Sequence, residues 1–296
     1  VLNFNLKKIK LSRKSIGYIA YFVGITAFFL YYLFPSDAVK GYVAYRLGRV
    51  NPDLDISIER ISPIMPPGIK LHDVGIYRGN RALIDLESVK ITPGLISFFS
   101  SKKTARFRGR VHAGNVEGWV EIENQNDQRT EKIEGTLSGI QLQAIPALEQ
   151  LTPHRISGNL DGDFLIARSG PNGSVTGQLT LSECRIVFDQ PVIGQPSLGF
   201  KNVAADLVLK NGRLVIKKCR ARGNDLDADI SGTIALNRTG RRKELNLNGS
   251  MTPHHAFLAK IENRIPTDFL QQKNAGGQAI SFRVGGTMEN PEFNLN

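Results

Sequence analysis

The sequence predicts a mainly β protein: a single N-terminal transmembrane helix, then a long set of antiparallel strands with a few short helices. Three observations carry this reading. An uncharged apolar run extends from Ile16 to Phe34, about the length that crosses a hydrocarbon core as a helix. Beyond it, roughly a dozen or more short segments alternate apolar and polar residues, and no strand-helix-strand alternation is sustained. The stretch from Val203 to Asn237 then reads as a meander with one apolar side, and one-sided strands mean a sheet with water on one face. Sandwich, barrel and long open sheet all fit such a strand set.

That meander sets the register of its own neighbourhood. Asn211-Gly212 is a hairpin turn signal, because both residues tolerate the positive φ of a type I′ turn. It places Leu209 opposite Leu214 and Leu207 opposite Ile216, so these four share one face. A second turn at Gly223-Asn224 is expected to set Arg222 against Asp225, Arg220 against Asp227 and Lys218 against Asp229. The apolar parity shifts near Lys217-Lys218, which predicts a bulge. After it Leu226, Ala228, Ile230, Gly232, Ile234 and Leu236 lie on one face.

Taken from its start, the chain opens with a basic stretch over residues 1–14, holding Lys7, Lys8, Lys10, Arg13 and Lys14, and no acid precedes Asp37. The apolar run ends in Tyr31, Tyr32 and Phe34 before Pro35, which reads as an uncleaved anchor over 15–35 with an interfacial aromatic belt. The basic start keeps the N-terminus cytoplasmic. In a bacterium the expectation is a single-pass inner-membrane protein whose bulk, 51–296, is periplasmic. Val39, Tyr42, Val43, Leu47 and Val50 fall at helical spacing, so 36–50 reads as an amphipathic helix.

Strands follow around Ile56–Ile58, Ile69–Ile76 and Ala82–Ile91. Next comes a greasy turn of helix at Leu95–Phe99. Phe98 and Phe99 beside Lys102 and Lys103 are candidates for touching a membrane surface. Strands continue through Phe107–His112, Asn115–Glu123 and Lys132–Gln143, then a short helix over Ala144–Leu151. A second run holds Ile156–Ala167 and Val175–Phe188 before the meander. Pro253–Phe269 reads as helical, and a last hairpin places Ile280, Phe282 and Val284 on one face, with Phe293 and Leu295 closing the chain.

Composition bounds the function. With 41% hydrophobic and 22% charged residues the chain is foldable rather than disordered. The net charge of +11 falls to about +6 once the five N-terminal cations are set aside. No aromatic-and-basic platform or recognition helix is visible, so nucleic acid is excluded as a partner. The five histidines lack metal-ligand spacing. Asp161 and Asp163 alternate with apolar residues, as on a solvated strand face. Asp225, Asp227 and Asp229 lack the glycine and terminal glutamate of a calcium loop. No phosphate-binding loop or nucleophile elbow is present. The expectation is a protein without catalytic residues, metal or cofactor. Cys184 and Cys219, the only cysteines, are a candidate disulfide.

Several segments together resemble a known family. Phe34-Pro35, a helix, Pro63–Tyr77 (PIMPPGIKLHDVGIY), Ile91–Phe99 (ITPGLISFF) and Gly109–Ile122 (GRVHAGNVEGWVEI) resemble the GspN-like proteins of the type II secretion system. Val208–Ile216 (VLKNGRLVI), Asp229–Asn237 (DISGTIALN) and Phe282–Leu295 (FRVGGTMENPEFNL) resemble the AsmA-type repeats of envelope proteins. The resemblance implies an elongated, curved sheet folded over on itself and anchored in the inner membrane. It implies a non-catalytic component of the type II secretion system that contacts the secretin or the inner-membrane platform. Its AsmA side implies instead a lipid-binding or lipid-transfer module with an apolar groove for phospholipid. The residues that would face lipid, or else form core, are Leu207, Leu209, Leu214, Ile216, Ile230, Ile234, Leu236, Ile280, Phe282 and Val284.

Overall fold

The computed structural model describes residues 13–50, 54–65, 67–111, 113–125, 128–151, 154–170, 172–192, 195–236, 244–255, 257, 279–287 and 290–295. Among them, fourteen strands form one sheet, each pairing antiparallel with the next in chain order. They are β1 Asp55–Ile64, β2 Gly68–Arg78, β3 Arg81–Pro93, β4 Lys102–Val111, β5 Gly114–Gln125, β6 Gln128–Gln141 and β7 Arg155–Ser169, then β8 Asn172–Val192, β9 Gln195–Lys210, β10 Arg213–Gly223, β11 Leu226–Ala235, β12 Leu245–Pro253, β13 Ile280–Gly286 and β14 Pro291–Leu295. At about 4.8 Å per strand the sheet is roughly 60 Å across. Of the three architectures open to the sequence, the described strands form the open sheet: β1 and β14 are its two edges.

The Asn211-Gly212 turn forms as its residues dictate, with φ of 51° and 70°. It pairs Leu209 with Leu214 and Leu207 with Ile216, and the register slips between Ile216 and Lys218 at the expected bulge. The second turn is wider than expected. Arg222 pairs with Asp227 and Arg220 with Asp229, not with Asp225 and Asp227. The charges repeat every second residue, so a slip of two leaves opposite charges facing each other in either register. The burial of Leu226, Ala228 and Ala221 favours the observed one.

Two apolar clusters hold the sheet at separated places. In the first, Ile58, Ile61, Leu71 and Val74 are buried beneath helix α2 (Ser36–Val50), which contributes Val39 and Val43, with Phe34 just before it. In the second, Cys184, Phe200, Ala221, Leu226 and Ala228 pack against Phe257. Along β1, β2 and β3 the buried parity changes between Ile58 and Ile61, Leu71 and Val74, and Leu86 and Val89. These changes stand side by side, and Asp73 adopts a φ of 49° there. The sheet thus turns its apolar side within three adjacent strands, a feature that simple alternation does not foresee.

The anchor is a correction. A helix α1 does form, over Arg13–Tyr32. Among the described residues, however, no helix is long and apolar enough to cross a membrane. The helix begins on Arg13-Lys14-Ser15, stops at Tyr32, and is diluted by Gly17, Tyr18, Tyr21, Gly24, Thr26 and Tyr31, residues that add a polar tip or no apolar side chain. Its Ile19, Phe22 and Phe28 are exposed. The expected single-pass inner-membrane topology with a periplasmic bulk falls with it. The short helix after β6 is present as Pro146–Leu151, and a 3-10 turn covers Leu95–Phe99. The helix expected over Pro253–Phe269 lies mostly outside the described residues.

Candidate functional site

Both sides of the sheet can be read strand by strand from its register. On one side, Ile69, Ile91, Phe107, Gly118, Gly135, Phe164, Gly177, Leu207, Ile216, Gly232, Leu247, Val284 and Phe293 are successive cross-strand partners from β2 to β14. A flanking row runs from Val89 through Leu179 and Ile230 to Phe282. The other flanking row runs from Ala105 through Val120, Ile166 and Leu209 to Ile234 and Leu245. No charged side chain interrupts the three rows. Alternate residues on a strand are about 6.7 Å apart, so the stripe is roughly 13 Å wide.

Of the residues singled out in the sequence, all but Leu236 and Ile280 belong to these three rows, and the stripe is only partly covered. Leu207, Leu209, Leu214, Ile216, Ile230, Ile234, Leu236 and Val284 are all half-buried. Only Ile280 at 4% and Phe282 at 7% exposure are buried. Glycines shape the stripe where aromatic rings lie down. A methyl at Gly135 would sit 2.6 Å from the Phe164 ring, and one at Gly249 would sit 2.5 Å from the ring of Phe282. These rings therefore lie along the sheet rather than stand away from it.

The opposite side is polar and hollowed. Arg108, Glu117, Thr136, Asp163, Gln178, Asp206 and Lys218 are successive cross-strand partners from β4 to β10. A hollow of about 660 Å³ opens over the middle of this row. Two more, of about 430 and 750 Å³, open on the same side. Arg108 Nε donates to Glu117 at 2.9 Å, and Thr136 Oγ1 donates to Asp163 at 2.7 Å. Asp161 accepts from the Gly139 N–H at 2.8 Å, which ties down a bulge in β6. The expected solvated carboxylates thus hold backbone and hydroxyl groups in place. Trp119 stands in the same hollow, 50% exposed, with the Arg106 guanidinium 4.4 Å from its ring centroid. Arg222 reaches both oxygens of Asp229, at 3.1 and 3.0 Å.

The other sites expected from the sequence are placed as follows. Phe99 is 96% exposed at the end of the 3-10 turn, and the Phe98 side chain lies outside the described residues. Lys102 bridges Glu121 at 2.7 Å. Lys103 Nζ donates to the Ser97 and Ser100 carbonyls at 3.1 and 2.8 Å, closing the last turn of that short helix. Cys184 and Cys219 are free thiols on β8 and β10. Burial pushes both thiols up from their ordinary value. No group of His, Cys, Asp or Glu among the described residues could hold a metal ion. Trp119 and Arg106 were missed by motif reasoning. The signal was parity: Trp119 is the aromatic exception on the outward side of a strand whose Val116, Gly118, Val120 and Ile122 point the other way.

Compared with known proteins, the chain matches no family model, no curated protein and no solved structure.

Proposed function

We propose that this protein is a non-catalytic lipid-binding module that holds phospholipid acyl chains along the apolar side of its sheet. The observation that carries this is the three-row stripe, continuous over a dozen strands and half-buried along most of its length. An apolar face of this extent in contact with water calls for an occupant. The stripe offers no donor or acceptor side chains, which favours a chain of methylenes over a peptide. An acyl chain burying about ten methylenes gains roughly 8 kcal/mol before ordering costs. The resemblance to AsmA-type repeats points the same way.

Native mass spectrometry with lipid extraction on the full chain tests this. The wild type should carry stoichiometric phospholipid through gel filtration. Leu207→Asp and Ile216→Asp should lose it while remaining folded. If those substitutions instead unfold the protein by several kcal/mol, the stripe is packed shut; if they keep both fold and lipid, the reading is wrong. A second reading, a component of the type II secretion system, is supported by the GspN-like segments and by the two sheet edges at β1 and β14, which can each add a partner's strand. Cross-linking to the secretin or the inner-membrane platform tests it.

A further inference from the structure

We propose that the polar side of the sheet binds a neutral oligosaccharide chain laid across the strands, with Trp119 as its stacking platform. The hollow over β4 to β10 has the required shape, open and long rather than deep, with about 660 Å³ of space. Its floor presents one polar side chain per strand: Thr136 on β6, Asp163 on β7, Gln178 on β8 and Asp206 on β9. These recur at the strand spacing of about 4.8 Å. A linear polymer running across the sheet therefore meets a hydrogen-bonding group at every strand.

The chemistry of the row selects the polymer. Thr136 and Gln178 both donate and accept, and the two carboxylates accept, so the complement is a ligand rich in hydroxyl groups. No ion pair to Asp163 or Asp206 is formed among the described residues. With Glu117 and Glu134, these carboxylates outnumber the Arg106, Arg108 and Lys217 cations that line the hollow, which disfavours an anionic ligand. An extended peptide satisfies its backbone at a sheet edge, not on a face of side chains. Trp119 adds the remaining element. It is half exposed and braced by Arg106 at 4.4 Å, a flat apolar surface at one end of a polar row. A sugar ring has the matching character, with C–H groups on its faces and hydroxyls around its rim.

Trp119 is the one tryptophan of the chain, so its fluorescence reports on this hollow alone. The full chain is titrated with chitohexaose and with cellohexaose, following emission and, in parallel, heat. A saturable change with at least one of them is expected. Trp119→Ala should weaken binding at least tenfold by calorimetry, Asp206→Ala at least fivefold, and Trp119→Phe no more than threefold. Both positions are on the exposed or half-buried polar side, and an unchanged thermal midpoint checks that each variant is folded. Absence of both signals with both hexasaccharides overturns the proposal, as does wild-type affinity in Trp119→Ala and Asp206→Ala.

Discussion

The covered end of the sheet and its centre are built from the same residue types, yet they end in different states. At the start of the sheet, Ile58 and Ile61 are 3% and 1% exposed under α2. At the centre, Phe164, Leu207 and Ile216 are half-buried. Antiparallel ladders run through both places, each with a local irregularity, so hydrogen bonding does not distinguish them. The difference is a helix: α2 packs on β1 and its neighbours, while among the described residues no helix lies over Phe164, Leu207 and Ile216. An antiparallel meander supplies its own backbone pairing, but not a cover for its apolar side. Where a described segment covers it, the side is core; where none does, the side stays half-open.

The sharpest test of this contrast is a matched pair of truncations. Ile61→Ala should cost about 2–5 kcal/mol, as for a fully buried aliphatic side chain. Leu207→Ala should cost less than about 1.5 kcal/mol, because part of its surface is already in water. Urea unfolding reads both, as a midpoint shift at constant slope. Equal losses would make the centre core and erase the distinction. Next in size is Gly135→Ala, whose new methyl meets the Phe164 ring. A cost of about 1–3 kcal/mol is expected from forcing the ring to move, read in the same unfolding experiment. A neutral result would mean that the ring shifts freely, as a wall facing open space allows. Smaller still is Arg222→Ala on the polar side. Its pair with Asp229 is exposed on both partners, and the loss should stay under about 1 kcal/mol and shrink in high salt.

The smallest effect belongs to pH at the covered end. His72 on β2 is held below its ordinary pKa, chiefly by desolvation and then by the Lys70 and Arg60 charges. The folded state therefore resists protonation, while the unfolded chain takes the proton near pH 6.5. Stability should fall as pH drops below about 6.5, with a slope of less than one proton. His72→Gln should flatten that slope, as measured by unfolding between pH 7.5 and 5.5. Ser62 Oγ lies 3.1 Å from His72 Nε2, so Ser62→Ala should leave the charge contribution to the slope in place.

Legibility in the sequence followed the locality of each constraint. The Asn211-Gly212 hairpin was readable residue by residue, because a two-residue turn leaves the flanking strands no other register. The Gly223 turn was misread by two residues, because Arg220, Arg222, Asp225, Asp227 and Asp229 repeat with the strand's own period. Charge pairing cannot tell registers apart under a slip of two. The packing of Leu226 and Ala228 against Phe200 and Phe257 can, but those partners come from distant parts of the chain. The expected membrane-spanning helix formed as a helix without the length and apolarity to span. Its tyrosines and glycines had been read as part of an apolar run rather than as breaks in it.

By itself, the sequence determined most of the strands, the Asn211-Gly212 register and which residues of the meander share the apolar side. All of these follow from a period of two and from turns a few residues long. Only the tertiary structure decided which stretches of that side are core and which stay half-open. It also decided where the apolar parity turns across β1 to β3, and that Trp119 shares a hollow with a polar row contributed by seven strands. Cover and curvature depend on where distant segments come to rest, and no local pattern of residues encodes that.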